Sequence, residues 1–131
     1  MTEGRKNTAE GRKNIPEKDL MKSIQAALSG AGCRAFRTNV GQGWTGSKII
    51  RHPDGSITIL DARPFSTGLP EGFPDLLVVA QGGRVTFLEI KTPTGRLSTE
   101  QIHFAEQLTA WGANVSTARS ESEAVRICKP E

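Results

Sequence analysis

Two short segments decide the fold of this chain: Asp75-Leu-Leu-Val-Val-Ala80 and Arg84-Val-Thr-Phe-Leu-Glu-Ile90. Each is a nearly continuous apolar run, and the turn residues Gln81-Gly82-Gly83 join them. Such runs are typical of strands that are buried on both faces at the centre of a sheet. We therefore predict that the two segments form an antiparallel pair of central strands.

The positions of the polar residues at the ends of these strands depend on the register of the hairpin. A two-residue turn at Gly82-Gly83 places Asp75 opposite Ile90, whereas a three-residue loop places Asp75 opposite Glu89. Only the second register puts both carboxylates on one face, because a one-residue slip turns every side chain to the other side. Three-residue hairpin loops with a left-handed glycine are common. We predict the register of the three-residue loop, or an equivalent bulge.

Glu89 and Lys91 are two residues apart on a strand, so their side chains project from the same face. With Asp75 beside them, two carboxylates and a lysine meet at one end of the central pair. Neighbouring carboxylates repel one another, and a divalent cation relieves that repulsion. Oxygen ligands favour Mg²⁺ or Mn²⁺, and a lysine beside the metal can orient water or stabilise charge on a phosphoryl group. A structural ion pair of Lys91 with either acid is the alternative.

The segments that precede this pair predict a helix, a strand and a hairpin. The helix begins near Pro16 and carries apolar residues at helical spacing, and a partly exposed strand follows at 33–38. His52-Pro53-Asp54-Gly55 is a strong turn sequence between the strands 48–51 and 56–60, which predicts a β-hairpin. We expect loops at 39–46 and 61–74, where glycine and proline are frequent.

The segments that follow the pair predict a helix, a strand and a last helix. Ser98 is placed to cap the first of these helices, with Gln101 in the capping-box position. Phe104 and Trp111 mark its apolar stripe, and we expect both in the core. A strand at 115–118 and a helix from Ser120 through Cys128 complete the order α-β-β-β-β-β-α-β-α. The fold class is therefore α/β, with a central mixed sheet flanked by helices.

Composition excludes several classes of protein. Hydrophobic residues make up 36% and charged residues 24% of the 131 residues, and no apolar run approaches the ~18 residues of a membrane span. The first 14 residues contain no apolar segment typical of a secretory signal. Cys33 and Cys128 lie in no metal-binding motif, so a zinc module and a disulfide scaffold are both disfavoured. We expect a soluble intracellular protein.

The N-terminal segment 1–14 differs from the rest of the chain. The sequence Glu-Gly-Arg-Lys-Asn occurs at 3–7 and again at 10–14, and the segment contains four basic and two acidic residues. The whole chain has a formal net charge of +3, so most of the excess lies in these residues. We predict a flexible basic arm over 1–14 and one domain over 15–131, and a basic arm suits either nucleic-acid contact or simple solvation.

Pro74-Asp75 followed by Glu89-Ile90-Lys91 resembles the signature of PD-(D/E)XK nucleases. The wider context is more specific. Gly72 to Val78, Phe87 to Pro93 and Gly95 to Gln101 together resemble the VRR-NUC family, the virus-type replication-repair nucleases, whose compact members occur in phages and bacteria. The resemblance extends over residues 15–128 and is strongest over 72–112.

The resemblance implies a restriction-endonuclease-like core of order αβββαβ, to which the predicted hairpin is an addition. It also implies metal-dependent hydrolysis of DNA phosphodiester bonds. The metal ligands would be Asp75, Glu89 and the backbone carbonyl of Ile90, with Lys91 as the catalytic lysine. Gln101 matches the family glutamine, although it can also serve only as a helix cap.

Glu17 matches the first-helix glutamate of many family members, which makes it a candidate catalytic residue and metal ligand. Asp19 is a nearby competitor for that role. The alternative is that Glu17 only stabilises the helix N-terminus through the helix dipole.

No sequence-reading module is visible in the chain, so shape and phosphate contacts should dominate recognition of DNA. We expect a structure-selective endonuclease that uses Mg²⁺ or Mn²⁺ and acts in DNA repair or recombination in the cytoplasm of a bacterial cell or phage-infected host. A symmetric homodimer that resolves Holliday junctions is the leading expectation, because two opposed strands must be cut. Flap or single-strand cleavage and a non-catalytic DNA-binding module are the alternatives. The candidate DNA contacts are Arg5, Lys6, Arg12, Lys13, Arg37, Asn39, Lys48 and Arg51.

Overall fold

The computed structural model describes residues 15–130, which form three helices and eight strands. The helices are α1 (Glu17–Gly30), α2 (Thr99–Ala110) and α3 (Glu121–Cys128). The strands are β1 (Cys33–Arg37), β2 (Gln42–Thr45), β3 (Lys48–Arg51), β4 (Ile57–Leu60), β5 (Arg63–Ser66), β6 (Leu76–Ala80), β7 (Val85–Ile90) and β8 (Asn114–Ala118). The predicted arm 1–14 lies outside the described residues.

The chain divides into two compact units. Of the described residues, the first unit comprises 15–38 and 72–130, and the second comprises Asn39–Glu71. The first unit contains a four-stranded sheet of order β1-β6-β7-β8. Its strands pair antiparallel except for β7 and β8, which are parallel. The α/β class, the mixed central sheet and the αβββαβ order of the core are therefore confirmed.

The register of the β6–β7 hairpin is the predicted one. Leu76 pairs with Leu88 and Val79 with Val85, and the N–H of Ala80 donates to the carbonyl of Arg84 at 2.9 Å. Three residues, Gln81-Gly82-Gly83, therefore form the loop. Gly82 and Gly83 have φ angles of +92° and +88°, a conformation that side chains with a Cβ rarely adopt.

The hydrophobic core lies on the face of the sheet that α1 and α3 cover. Leu20, Ile24 and Leu28 of α1 pack against the apolar residues of the central strands, and Ala124 and Cys128 of α3 complete the cluster. Full burial of each large aliphatic side chain contributes about 1.5–3 kcal/mol to stability. No helix within residues 15–130 has the length and apolar character that crossing a bilayer requires.

The opposite face of the sheet is only half-buried, which corrects the prediction that the central strands are buried on both faces. Leu77, Val79 and Phe87 are partly exposed there. Phe73 contacts the rings of Phe87 and Phe104 edge-on, with centroid distances of 5.9 and 5.2 Å. None of the α2 residues is fully buried.

The prediction that Trp111 and Phe104 belong to the core is also wrong. Trp111 is 74% exposed at the C-terminus of α2, and Phe104 is half-buried. Trp111 is the C-cap residue, beyond the last residue of α2, and most of its side chain is exposed to solvent.

The second unit is a two-stranded antiparallel ribbon. The predicted hairpin of β3 and β4 is confirmed, with Lys48 opposite Leu60 and Arg51 opposite Ile57. The segments 39–46 and 61–74, predicted as loops, contain the further paired strands β2 and β5. These strands were missed because they are short and lack an alternating pattern of apolar residues.

The two ladders of the ribbon are separated by two residues on each strand, so one register continues through both. Asp61 has a φ of 51° at this break, and its carboxylate accepts a hydrogen bond from the hydroxyl of Ser47 at 2.7 Å. A Cβ on Gly46 would lie 2.3 Å from the carbonyl oxygen of Leu60, so only glycine fits there. Trp44, Ile49 and Ile57 are each more than half exposed on the ribbon.

Candidate active site

Asp75 and Glu89 lie opposite one another at the end of the β6–β7 ladder. Asp75 immediately precedes β6, and the register in which Leu76 pairs with Leu88 continues to place it across from Glu89. The N–H of Thr38, just after β1, donates to the carbonyl of Asp75 at 3.0 Å, and the Thr38 hydroxyl donates to the carbonyl of Pro74. The backbone on which Asp75 is carried is therefore fixed by the neighbouring edge strand.

Gly72 allows the segment before Asp75 to pass close to the start of α2. Its φ is +91°, and a Cβ at this position would lie 2.6 Å from the carbonyl oxygen of Glu100. Any residue with a Cβ at position 72 would have to displace the backbone at Glu100, so only glycine fits here. The glycine of the Gly72-Phe73-Pro74-Asp75 sequence thus has a steric function beside the acidic residue.

The side chain of Asp75 is held by the strand opposite. Its Oδ2 accepts a hydrogen bond from the backbone N–H of Ile90 at 2.9 Å. Ile90 itself is fully buried on the core face, so this donor is rigidly placed. One carboxylate oxygen of Asp75 is thereby fixed in direction, and the other is left for a further partner.

Glu89 is 5% exposed and is one of two polar side chains buried in the described part of the chain. Burial, a side-chain hydrogen bond with Asp75 and the charge of Asp75 raise the pKa of Glu89 to about 9. The charge of Lys91 acts in the opposite direction. The raised pKa favours the neutral form of Glu89 at neutral pH, because burial and the neighbouring Asp75 make its charged form costly.

Lys91 follows β7 and its side chain is only 15% exposed. Its Nζ lies 4.0 Å from Oε1 of Glu17 in the first turn of α1. The charge of Glu17 also contributes to the raised pKa of Glu89, so the structure brings Glu17 toward the carboxyl pair. Glu17 and Asp19 are both exposed, and of the two only Glu17 pairs with Lys91.

Gln101 makes both bonds of the predicted capping box. Its N–H donates to the hydroxyl of Ser98 at 3.1 Å, and its Oε1 accepts from the N–H of Ser98 at 2.8 Å. Gln101 and Glu89 also line the same small cavity of about 90 Å³. The cap is therefore present, and its two bonds use the side-chain oxygen and the backbone N–H of Gln101 but not its amide nitrogen.

The same cavity brings in residues that the sequence did not single out. Ser116 and Thr117 of β8 line it from the opposite side, and Thr117 pairs with Glu89 in the parallel ladder. Nothing in the local sequence identifies these hydroxyl residues, because their proximity to Glu89 depends on a parallel pairing between distant segments.

The donor set fits a hard divalent cation bound by few protein ligands. Within residues 15–130 there is no group of three or more acidic, histidine or cysteine side chains arranged for a metal ion. Asp75 and Glu89 supply two adjacent carboxyl groups, and a bound cation would relieve the repulsion between their charged forms. Mg²⁺ commonly binds in this way, through one or two carboxylates with water completing its octahedral shell.

The candidate DNA-binding residues among those described are all at the surface. Arg37 ends β1 in the first unit, and Asn39, Lys48 and Arg51 belong to the ribbon unit. Each of these four side chains is exposed. The other four predicted contacts, Arg5, Lys6, Arg12 and Lys13, lie outside the described residues.

An acidic residue before one central strand, a buried glutamate and a lysine at the end of the next, and helices on a mixed sheet define a protein of the PD-(D/E)XK nuclease-like class. Residues 58–122, about half of the chain, match the model of the VRR-NUC domain family. The chain belongs to the VRR-NUC family, which implies a nuclease-type function.

A solved structure described as a VRR_NUC domain has the same fold. It superposes with a TM-score of 0.55 and 19% sequence identity, over 87% of this chain and 95% of the other. No curated protein matches the sequence.

Proposed function

We propose that this protein is a Mg²⁺- or Mn²⁺-dependent endonuclease that hydrolyses phosphodiester bonds in branched DNA. The carboxyl pair of Asp75 and Glu89 is the observation that carries the proposal. Burial and the adjacent Asp75 raise the pKa of Glu89, so the charged form of this carboxyl is costly in the metal-free site. A bound divalent cation would compensate both charges and, as in the nuclease superfamily generally, activate water and polarise the phosphate.

The protein's own residues have separable tasks in this reaction. Asp75 and Glu89, with the carbonyl of Ile90, would hold the cation, and Glu17 is a further candidate ligand. Lys91 supplies a positive Nζ that orients the attacking water and stabilises charge on the phosphoryl oxygens. The reaction consumes one water: a bond forms between its oxygen and phosphorus, the bond to the leaving oxygen breaks, and that oxygen receives a proton.

Gln101 is proposed to act from the α2 side of the site. Its capping bonds fix the side-chain carbonyl, so the amide nitrogen has a defined direction in the cavity that it shares with Glu89. A donor at this position can orient the Glu89 carboxylate once its proton has been displaced.

The substrate we propose is a four-way DNA junction, cut by a homodimer. A chain with one site of this kind makes paired cuts on opposed strands only if two copies act together. Exposed Arg37, Lys48 and Arg51, together with the basic residues of segment 1–14, would contact phosphates. Such contacts give affinity without reading the base sequence.

One experiment separates this proposal from its alternatives. The purified protein is incubated with end-labelled four-way junction, flap, linear duplex and single strand, each with Mg²⁺, Mn²⁺ or EDTA. The proposal expects symmetric cuts in the junction with either metal and none in EDTA. Cleavage confined to flaps or single strands would change the substrate, and binding without cleavage under every condition would indicate a DNA-binding module.

A further inference from the structure

Arg119 forms a clamp on the loop that connects Lys91 to α2. The residue lies between the end of β8 and the start of α3, and its Nη1 donates hydrogen bonds to the carbonyls of Thr92 and Gly95 at 2.7 and 2.6 Å. Both carbonyls belong to the turn that directly follows Lys91, which the N–H of Gly95 closes onto Thr92 at 3.0 Å. One guanidinium nitrogen therefore fixes both ends of this turn.

The backbone on each side of the clamp is fixed as well. The N–H of Lys91 donates to the carbonyl of Ala118, the residue before Arg119, at 3.1 Å. The N–H of Arg119 donates to Oε1 of Glu123 in α3 at 2.6 Å. Lys91 is thus attached to β8 at its own backbone, and the loop after it is attached through Arg119.

This loop joins two elements of the candidate site. It begins at Lys91 and ends at Ser98, whose capping box orients Gln101. A loop with proline and glycine has little regular structure of its own, so its conformation depends on such tertiary bonds.

We infer that Arg119 is a positioning residue for the nuclease reaction, which holds the Lys91–Ser98 loop so that Lys91 and Gln101 have their catalytic directions. The inference rests on the proposed function. A displacement of about 1 Å at a reacting group can cost up to about 10²-fold in rate. Loss of the clamp should therefore reduce the chemical step rather than the binding of DNA.

The test compares Arg119→Ala, Arg119→Lys and the control Arg126→Ala. Arg126 is a matched control because it also lies beside Glu123, at 3.8 Å, with a side chain that is 74% exposed. For each folded variant, the single-turnover rate at saturating Mn²⁺, the Kd for DNA and the hydrogen exchange of the 92–98 amides are measured. A general loss of stability would weaken DNA binding and speed exchange throughout the protein, whereas loss of loop positioning would leave the Kd nearly unchanged and speed exchange only in the loop.

For Arg119→Ala we expect a rate about 10–100-fold below that of the wild type, a Kd within about threefold, and faster exchange confined to residues 92–98. Methylguanidinium in the buffer should restore part of the rate. Arg119→Lys, whose side chain ends short of both carbonyls, should be intermediate, and it provides the test if the alanine variant does not fold.

Equal rates in Arg119→Ala and Arg126→Ala, or unchanged exchange at Gly95, would overturn the inference. A wild-type protein that cleaves no DNA would instead refute the proposed function. The exchange measurement would still decide whether Arg119 holds the loop.

Discussion

Oδ2 of Asp75 accepts a hydrogen bond from the backbone N–H of Ile90 at 2.9 Å, and this bond links the acidic residue of one central strand to the end of the next. The donor is adjacent to Glu89, the second acid. The aspartate is therefore both a candidate metal ligand and a structural acceptor, and these two roles can be separated by substitution.

Asp75→Asn should abolish cleavage without unfolding the protein. Asparagine keeps an oxygen that can accept from the N–H of Ile90 but lacks the charge that a divalent cation needs. We expect a loss of at least about 10³-fold in single-turnover rate, with DNA binding unchanged or stronger because a charge that repels phosphate has gone. Asp75→Ala should in addition lower the melting temperature. Near-normal turnover of either variant with Mg²⁺ would show that the site is wrongly assigned.

The metal-free protein should lose stability as the pH rises, and Glu89 should be one cause. Its pKa is about 9 in the folded state and close to 4.5 when unfolded, so between these values the folded state binds more protons. The stabilising contribution is therefore complete below pH 4.5 and is lost as the pH rises toward 9. Glu89→Gln should flatten this dependence, giving a melting temperature above that of the wild type at pH 8 in EDTA.

Addition of Mn²⁺ at pH 8 provides the control for the Glu89 prediction. The cation should raise the melting temperature of the wild type, because it binds the folded carboxyl pair and stabilises that state by mass action. Glu89→Gln should respond much less. If the melting temperatures of the wild type and Glu89→Gln in EDTA changed in parallel with pH, the assignment of a raised pKa to Glu89 would be contradicted.

Glu17 and Asp19 form a matched pair of acids in the first turn of α1, and only Glu17 lies beside Lys91. If Glu17 is a functional residue, Glu17→Gln should lower the cleavage rate about tenfold or more while Asp19→Asn leaves it unchanged. If both acids only favour the helix dipole, each substitution should cost a similar few tenths of a kcal/mol and neither should affect the rate. Melting temperature and single-turnover cleavage distinguish the two results.

Lys91→Ala should retain both metal carboxylates, so Mn²⁺ binding should persist while cleavage falls by about 10²–10⁴-fold. Lys91→Arg should not restore the rate, since the longer planar guanidinium does not lose a proton at neutral pH. A purely structural role predicts that arginine rescues the protein. A stable Lys91→Ala variant that binds metal and cuts at the wild-type rate would rule out the catalytic role.

Deletion of residues 1–14 should weaken DNA binding in a salt-dependent manner. The segment contains four basic residues, and each phosphate contact that is lost reduces the slope of log K against log salt by about 0.9. We expect a slope flatter by up to about 3–4. Lys48→Ala and Arg51→Ala in the ribbon should each flatten it by about 1. An unchanged slope after the deletion would indicate that the arm does not contact DNA.

Several features of the site could be predicted because they depend only on residues that are close together in the sequence. The apolar runs on either side of Gln81-Gly82-Gly83 identified the central hairpin. The three-residue loop was preferred to a two-residue turn because only that loop puts Asp75 and Glu89 on one face. The period of two along a strand then placed Asp75, Glu89 and Lys91 on one face. Ser98 and Gln101 form their predicted capping box because that motif depends on only four consecutive residues.

The ribbon and the exposure of Trp111 could not be predicted in the same way. Strands β2 and β5 gain their hydrogen bonds from each other, about twenty residues apart, and their own residues show no alternation. The position of Trp111 in the helical stripe was recognised, but whether a residue of a stripe is buried depends on which distant segments pack against it.

The sequence by itself indicated the central hairpin and the candidate residues of the site, because these follow from local periodicity and the covalent order of the chain. The placement of Asp75 and Glu89 on one face selected the register. Only the tertiary structure decided that Glu89 is buried with a raised pKa, that Glu17 approaches Lys91, and that Arg119 clamps a turn 24 to 27 residues earlier. These properties depend on which distant groups desolvate, charge or hydrogen-bond a side chain, and folding alone brings such groups together.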